Sequence, residues 1–306
     1  MVMNHLLQNI LNDCYPYIKD GKLADYIPEL AKVDKQRLGL CLITSDAKME
    51  CVGDYDFKFT VQSIIKPIIL LMSILDTDMD RVHDLVGVES TGKPFDAFNY
   101  SDQALTSAHI NPMINTGAIA LCTLIKGRTY EEKFARLLDF TKKLTDDPAL
   151  DVNHSVYQSE KATGHKNRAL AYMLKAYNMI DADVEELVDF YFRACSVNVT
   201  CKDLANVAFI LSNHGKDLRG NQLFPAEYAR CVNAILTTCG MYDGSGEFAL
   251  KVGIPAKSGV GGGIMAVVPK RMGIGIYSPA LDAKGNSVAG KKALELLSQK
   301  LNLSIF

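Results

Sequence analysis

Apolar residues recur in two ways along this chain. Near both ends they form short runs bounded by turn residues: RLGLCLITS (37–45) and KMECVGD (48–54) meet at Asp46, and GGIMAVVP (262–269) and RMGIGIYS (271–278) meet at Pro269-Lys270. Such runs predict four strands arranged as two hairpins. Between them the recurrence is helical, as in TGAIALCTLIKG (116–127), TYEEKFARLLDFTKKLT (129–145), DADVEELVDFYFRACS (181–196) and KDLANVAFILSN (202–213). The last two are preceded or opened by Asp and Thr-Cys-Lys-Asp, residues whose side chains cap the first N–H groups of a helix. Residues 3–18 predict a leading helix. Ser287 to Leu301 predict a closing one, after the turn-rich DAKGN at 282–286.

Strands at the termini and helices in the middle predict an α+β chain. Its economical form is one antiparallel sheet built from both chain ends, flanked by helices, with an inserted helical lobe. The expected organisation is a single domain over 1–306. Residues 1–62 plus 250–306 form a sheet lobe and residues 63–249 a mostly helical one. The cleft between the lobes is the expected place for small-molecule chemistry.

Composition narrows the class. The chain has 306 residues, 48% hydrophobic and 22% charged, with a formal net charge of -2. That suits a large core, and it lacks the basic excess of a nucleic-acid or membrane-surface binder. The apolar run from Ile68 to Leu75 contains Ser73 and is far shorter than the roughly 20 residues that span a bilayer. The first 20 residues lack a basic segment and a small-residue cleavage site, so no export signal is read. The 8 cysteines form no C-x-x-C pair, and several lie in apolar patterns. They are expected to be buried reduced thiols, which fits a cytoplasmic location. The 6 histidines are scattered, so no metal site is expected.

Candidate chemistry starts at VQSIIKPIILLMSI (61–74), where Lys66 stands at the mouth of an apolar helix, three residues after Ser63 and beside Pro67. S-x-x-K occurs three times. Ser45-Lys48 falls in the first hairpin turn, and Ser90-Lys93 contains Gly92 and precedes Pro94, which reads as loop. Only Ser63-Lys66 opens a buried-looking helix, where proline is tolerated in the first turn. One helical turn brings both side chains to one face. An apolar setting presses a lysine towards its neutral form, and a neutral amine can take the proton of an otherwise poor serine nucleophile. Taken alone, the pair reads better as an N-cap serine and a surface lysine with its stem packed down, since short motifs recur by chance.

The far end of the chain changes that balance. IPAKSGVGGGIMAVVP (254–269) places Lys257, Ser258 and Gly259 before a glycine-rich strand. S-x-x-K followed much later by a K-T-G-like strand belongs to serine acyl-transfer enzymes of the penicillin-recognising type. The amides of Val260 and Ser63 together could then form an oxyanion hole. CGMYDGSGEF (239–248) has loop composition around Tyr242, which is placed to relay protons if it lies near the pair. Asn111 and Asn115 precede a helix in HINPMINTGAIA (109–120). YQSEKATGHKNRALAY (157–172) holds Glu160 and Asn167, and DFYFRACS (189–196) holds Tyr191. Each of these reads alone as a cap, a solvated face or a packing residue.

The set as a whole resembles the serine-dependent glutaminases, whose fold is that of the serine β-lactamases and penicillin-binding proteins. The segments that carry the resemblance are QSIIKP (62–67), STGKPFDAFN (90–99), NPMINTGAI (111–119), YQSEKATGHKNRALAY (157–172), DFYFRACSVNVTC (189–201), CGMYDGSGEFA (239–249) and GIPAKSGVGGGIMAVVP (253–269). The resemblance implies that Ser63 is the nucleophile, Lys66 its partner, Tyr242 the catalytic tyrosine and Val260 the oxyanion amide. It further implies that Asn115, Glu160, Asn167, Tyr191 and, in DYIPEL, Tyr26 bind substrate, with Lys257, Ser258 and Gly259 in support. Thr116 stands where the family pattern I-N-A-G-A has alanine. The chain has neither the targeting segment nor the ankyrin repeats of animal members, so it reads as a bacterial form.

The expected reaction is hydrolysis of L-glutamine to L-glutamate and ammonia through a Ser63 acyl-enzyme, with Lys66 and Tyr242 moving protons. The sequence leaves the division of the base role between them open. No cofactor is implied, nor a nucleic-acid or membrane partner. The resemblance implies a homo-oligomer, tetramer or dimer. The alternative reading is another serine acyl-transferase or amidase of the same superfold, and a non-catalytic amino-acid-binding protein is a third class.

Overall fold

The computed structural model describes residues 2–92 and 105–306. Lys93 and Pro94 of the third S-x-x-K, and most of STGKPFDAFN, lie outside the described residues. Among the described residues seven strands are formed: β1 (Gly39–Thr44), β2 (Met49–Gly53), β3 (Phe59–Thr60), β4 (Asn198–Val199), β5 (Ala256–Ser258), β6 (Gly263–Val268) and β7 (Met272–Tyr277). Twelve α-helices among the same residues accompany them: α1 (Val2–Cys14), α2 (Lys66–Asp76), α3 (Met79–Leu85), α4 (Asn115–Cys122), α5 (Tyr130–Thr145), α6 (His154–Thr163), α7 (His165–Ala176), α8 (Val184–Cys195), α9 (Cys201–Ser212), α10 (Ala226–Cys239), α11 (Ser245–Lys251) and α12 (Val288–Leu301).

Five strands form one sheet in the order β2-β1-β7-β6-β5, every pair antiparallel. The two predicted hairpins are its left and centre, joined where Gly39 of β1 opposes Tyr277 of β7. The sheet is therefore built from both chain ends, as the pattern predicts. Its strands read as continuous apolar runs because both faces are covered. Leu40, Leu42, Ile264, Ala266, Ile274 and Ile276 face a core closed by α1, α11 and α12. Cys41, Ile43, Met265, Val267 and Tyr277 face the larger core shared with the inserted helices.

Helix α9 lies directly on that second face. Two β7 glycines permit the approach: a Cβ at Gly273 would sit 2.0 Å from the Phe209 amide nitrogen, and one at Gly275 would sit 2.1 Å from the Cys201 carbonyl oxygen. Backbone contact this close needs a residue without a side chain. The predicted caps form, with Asp183 and Thr200 each accepting from the third residue beyond, and Thr129 and Ser287 cap their helices in the same way.

Helix α2 is buried on nearly every side, from Lys66 to Ile74. This explains an apolar run with no polar stripe: such a helix sits inside the lobe rather than on its surface. Burying each of its Ile and Leu side chains contributes about 1.5–3 kcal/mol. Ser73 is accommodated because its hydroxyl donates to the Leu121 carbonyl of α4 at 3.0 Å. At the helix end Asp76 takes both Arg136 nitrogens at 2.6 Å and the Lys126 amide.

One sequence expectation is corrected here. The cysteines are not all reduced thiols, because Cys41 and Cys51 are joined in a disulfide. The β1–β2 register sets them directly opposite each other, with Cα atoms 4.1 Å apart. Sequence spacing gave no hint of this, since the pairing depends on register. Cys14, Cys122, Cys195, Cys201, Cys231 and Cys239 are free thiols. Among the described residues, no helix is long and apolar enough to cross a membrane.

Candidate active site

Ser63 is presented by a one-turn 3-10 helix, Gln62–Ile65, that runs straight into α2. The sequence expectation of a helix N-terminus is therefore refined: the serine precedes the α-helix by one tight turn. Pro67 sits in the first turn of α2, where no N–H is required. The residue before the serine is the unusual one. Gln62 adopts φ +49°, a left-handed conformation that costs a side-chain-bearing residue about 1–3 kcal/mol.

Lys66 is fully buried, which excludes the reading as a surface lysine. Its amine is held by defined acceptors. Nζ donates to the Met113 carbonyl at 3.1 Å and to Asn115 Oδ1 at 2.7 Å. The turn before α4 aims both of them. Asn111 Oδ1 accepts the Met113 N–H at 2.9 Å, and Asn111 Nδ2 donates to Glu89 O at 2.9 Å. Asn111 is thus a turn-builder that points a carbonyl at the lysine. Asn115 in turn donates Nδ2 to Asn167 Oδ1 at 2.8 Å, and Tyr191 Oη donates to Asn115 Oδ1 at 3.5 Å. Thr116 is buried in the first turn of α4 and leaves these contacts of Asn115 in place.

A cavity of about 430 Å³ opens beside the serine. Ser63, Asn115, Glu160, Asn167, Tyr191 and Tyr26 all line it, so six positions from five separate sequence segments converge. Tyr26 is half-exposed at its mouth. Glu160 is 5% exposed, and its Oε1 accepts from Gln62 Nε2 at 2.7 Å. Burial raises its carboxyl to about 8, against the opposing pull of that hydrogen bond. Burial likewise pushes the Tyr191 phenol well above its ordinary range, with Cys195 beside it adding to the effect.

Tyr242 does not stand in a plain loop. It begins a 3-10 turn, Tyr242–Gly244, that leads into α11, and it carries φ +56°. Its phenol is buried, which raises its pKa, while Ser63 and the Val260 amide beside it pull the other way. The serine and the predicted oxyanion amide thus both lie next to the tyrosine. Lys257, Ser258 and Gly259 do not line the cavity. Lys257 and Ser258 are fully buried on β5, behind the tyrosine. Lys257 Nζ lies 4.4 Å from the Tyr242 ring centroid, and burial followed by the Lys66 charge pushes its pKa far below that of an ordinary lysine.

Comparison with known proteins decides the family. A family model described as Glutaminase matches residues 21–306. A glutaminase of Clostridium tetani is 50% identical over 306 residues, the full length of both chains. The chain belongs to the glutaminase family. Glutaminase 2 of Clostridium perfringens is 48% identical over 305 residues, 99% of this chain and all of the relative. A probable glutaminase from Bacillus subtilis, solved in complex with 6-diazo-5-oxo-L-norleucine, aligns with a TM-score of 0.90 and 38% identity, covering 98% of this chain and 96% of that one. A Bacillus subtilis glutaminase in covalent complex with 5-oxo-L-norleucine, formed by reaction with the same reagent, also has a TM-score of 0.90, at 37% identity with 98% of each chain covered. The sheet and helices described above are thus the β-lactamase-like fold of the glutaminases.

Sequence reading passed over three members of the site. Gln62 lies in QSIIKP, where a polar residue between apolar Val61 and Ile64 is a usable signal. The Met113 carbonyl is main chain and carries no side-chain signal. Cys195 lines the cavity, but it looks in the sequence like any other helix-core cysteine.

Proposed function

We propose that this chain hydrolyses L-glutamine to L-glutamate and ammonia through an acyl-enzyme on Ser63. The observation that carries the reading is the convergence of Ser63, at the rim of the cavity, with the Tyr242 phenol and the Val260 amide beside it, one turn of chain before the fully buried amine of Lys66. Ser63 Oγ attacks the side-chain carboxamide as its proton leaves through the Lys66–Tyr242 pair. In this reading Lys66 and Tyr242 share the base role, and the division between them is left open. The amides of Ser63 and Val260 take the developing oxyanion, a contact worth about 3–4 kcal/mol per donor. The pair returns a proton to the departing ammonia, and water then cleaves the glutamyl ester.

Charge matching supports the orientation of the substrate. Glu160 receives the substrate ammonium. Asn115, Asn167, Tyr191 and Tyr26 bind its carboxylate end and cover it. The reading takes residues 1–306 as one catalytic domain with lobes 1–62 plus 250–306 and 63–249. It includes a cytoplasmic homo-oligomer of two or four chains, which light scattering and cell fractionation test.

The decisive experiment treats wild type and Ser63→Ala with 6-diazo-5-oxo-L-norleucine and reads intact mass and ammonia release. Wild type gains one adduct, mapped to the peptide containing Ser63, and Ser63→Ala gains none and releases no ammonia from glutamine. Full turnover by Ser63→Ala would overturn the covalent mechanism.

A further inference from the structure

The Tyr242 turn is held by three side chains that never reach the substrate cavity. Tyr242 has φ +56°, so its backbone is not in a conformation it would choose unaided. Ser245, also buried, accepts the Met241 N–H at 3.0 Å and donates to the Tyr242 carbonyl at 2.8 Å. Asn286 is fully buried in the 282–286 turn and donates Nδ2 to the Met241 carbonyl at 3.2 Å. Its Oδ1 finds no partner among the described residues, so the amide is kept in the interior for its donor end. Lys257 donates Nζ to the Gly240 carbonyl at 3.1 Å and to the Ser258 carbonyl at 2.6 Å, with its third direction over the Tyr242 ring.

The anchor point is equally tight. The Gly240 carbonyl also accepts the Ser258 N–H at 3.1 Å, and a Cβ at Gly240 would lie 1.7 Å from the Ala256 carbonyl oxygen. The turn is thus drawn onto β5 at closer than side-chain distance. Three consecutive carbonyls, those of Gly240, Met241 and Tyr242, each accept from a different one of these three buried side chains. The arrangement gives each of these carbonyls a donor. What it fixes is the aim of one phenol.

We propose that Asn286, Lys257 and Ser245 are positioning residues for the reaction, clamping Tyr242 in its left-handed conformation so that its hydroxyl stays between Ser63 and the Val260 amide. The proposal rests on the reading of Tyr242 as a proton carrier. It assigns the buried lysine of the K-S-G strand to the tyrosine rather than to the substrate. None of the three side chains lines the cavity, so their loss acts on the chemical step and not on binding. Misplacing a reacting group by about 1 Å costs roughly 100-fold in rate.

The test measures kcat and KM of Asn286→Ala, Lys257→Met and Ser245→Ala, alone and combined with Tyr242→Phe, with melting temperatures for all. The expected result is a fall in kcat of about 100-fold for Asn286→Ala and Lys257→Met, with KM within about threefold of wild type. Combined with Tyr242→Phe, neither adds a further loss, because the phenol they position is already gone. Ser245→Ala removes one oxygen atom and serves where a larger truncation fails to fold. Its loss is smaller and likewise vanishes in the Tyr242→Phe background. Losses that add in that background, losses carried by KM, or unchanged kcat in the folded variants would overturn the clamp. Full activity of Tyr242→Phe would instead remove the proton-carrier reading, and the clamp with it.

Discussion

Lys66 and Asn115 are joined by a 2.7 Å hydrogen bond in which the amine donates to Oδ1, and Asn115 also lines the cavity beside Ser63. The same Asn115 amide donates to Asn167, so its orientation is fixed: oxygen towards the lysine, nitrogen towards the pocket wall. One side chain therefore links the buried amine to the cavity wall.

Replacing that neutral oxygen by a charged one alters the contact with Lys66, and it also removes the N–H that Asn167 accepts. In Asn115→Asp a buried carboxylate faces the Lys66 amine and favours its ammonium form, which cannot accept the serine proton. The expected outcome is a loss of kcat of about 100-fold or more. Adduct formation with 6-diazo-5-oxo-L-norleucine slows in parallel at neutral pH. Stopped-flow ammonia release and time-resolved mass measurement check it, and unchanged acylation would show that Lys66 is not the base.

Glu160 sets a pH dependence of known sign. Its carboxyl is raised to about 8 by burial, so below that pH it holds a proton in the free protein. The substrate ammonium requires the carboxylate. Binding of L-glutamine to Ser63→Ala at pH 7 therefore releases up to one proton, seen as a binding enthalpy that depends on the buffer's ionisation heat. Adding Glu160→Gln abolishes the release. Stability follows the linkage in the same direction. Between the ordinary carboxylate range and about 8, the folded chain holds a proton that the unfolded chain has lost, so stability falls as pH rises through that window. Glu160→Gln loses this slope, which melting curves between pH 5 and 8 detect.

Much of this fold was legible because both hairpins and the capped helices rest on local signals that the structure keeps. Asp183 and Thr200 cap where the sequence places them. The site was legible in another way. Ser63 and Lys66 alone were ambiguous, and burial, which sequence reports poorly, is what separates a base from a surface lysine. What stayed hidden depends on register and backbone conformation. The Cys41–Cys51 pairing needs the β1–β2 alignment. The positive φ of Gln62 and Tyr242 is imposed by tertiary contacts that no local propensity encodes. The helix that follows Tyr242 was obscured by glycine-rich composition at 244–246, which reads as loop until Ser245 is seen closing the turn.

Gln62 tests whether the missed residue matters. Its side chain donates to Glu160 and, at 3.2 Å, to Thr60 Oγ1, tying the Glu160 carboxyl to the turn that carries Ser63. A hydrogen bond to a charged group is worth about 1.5–3 kcal/mol, so Gln62→Ala is expected to raise KM for glutamine by about 10- to 100-fold. Gln62→Gly relieves the φ strain while removing the same donor, so it matches Gln62→Ala in KM and exceeds it in melting temperature. Equal KM in wild type and both variants would assign Gln62 a folding role only.

Substrate length is fixed by two ends that do not move together. The Glu160 carboxyl is anchored through Gln62, and Ser63 follows Gln62 on the same rigid turn, so the distance from amine to reacting carbonyl is set by one short stretch of backbone. L-Asparagine is shorter by one methylene. It can place its amine at Glu160 or its carboxamide at Ser63 Oγ, and each choice leaves buried polar groups at the other end without partners. A missing methylene in an apolar pocket costs about 10- to 200-fold, and unpaired buried hydrogen-bonding groups add to that. The expected kcat/KM for asparagine is therefore lower than for glutamine by about 1,000-fold or more. Side-by-side ammonia-release assays check it, and comparable turnover of the two amides would mean that Glu160 does not hold the substrate amine.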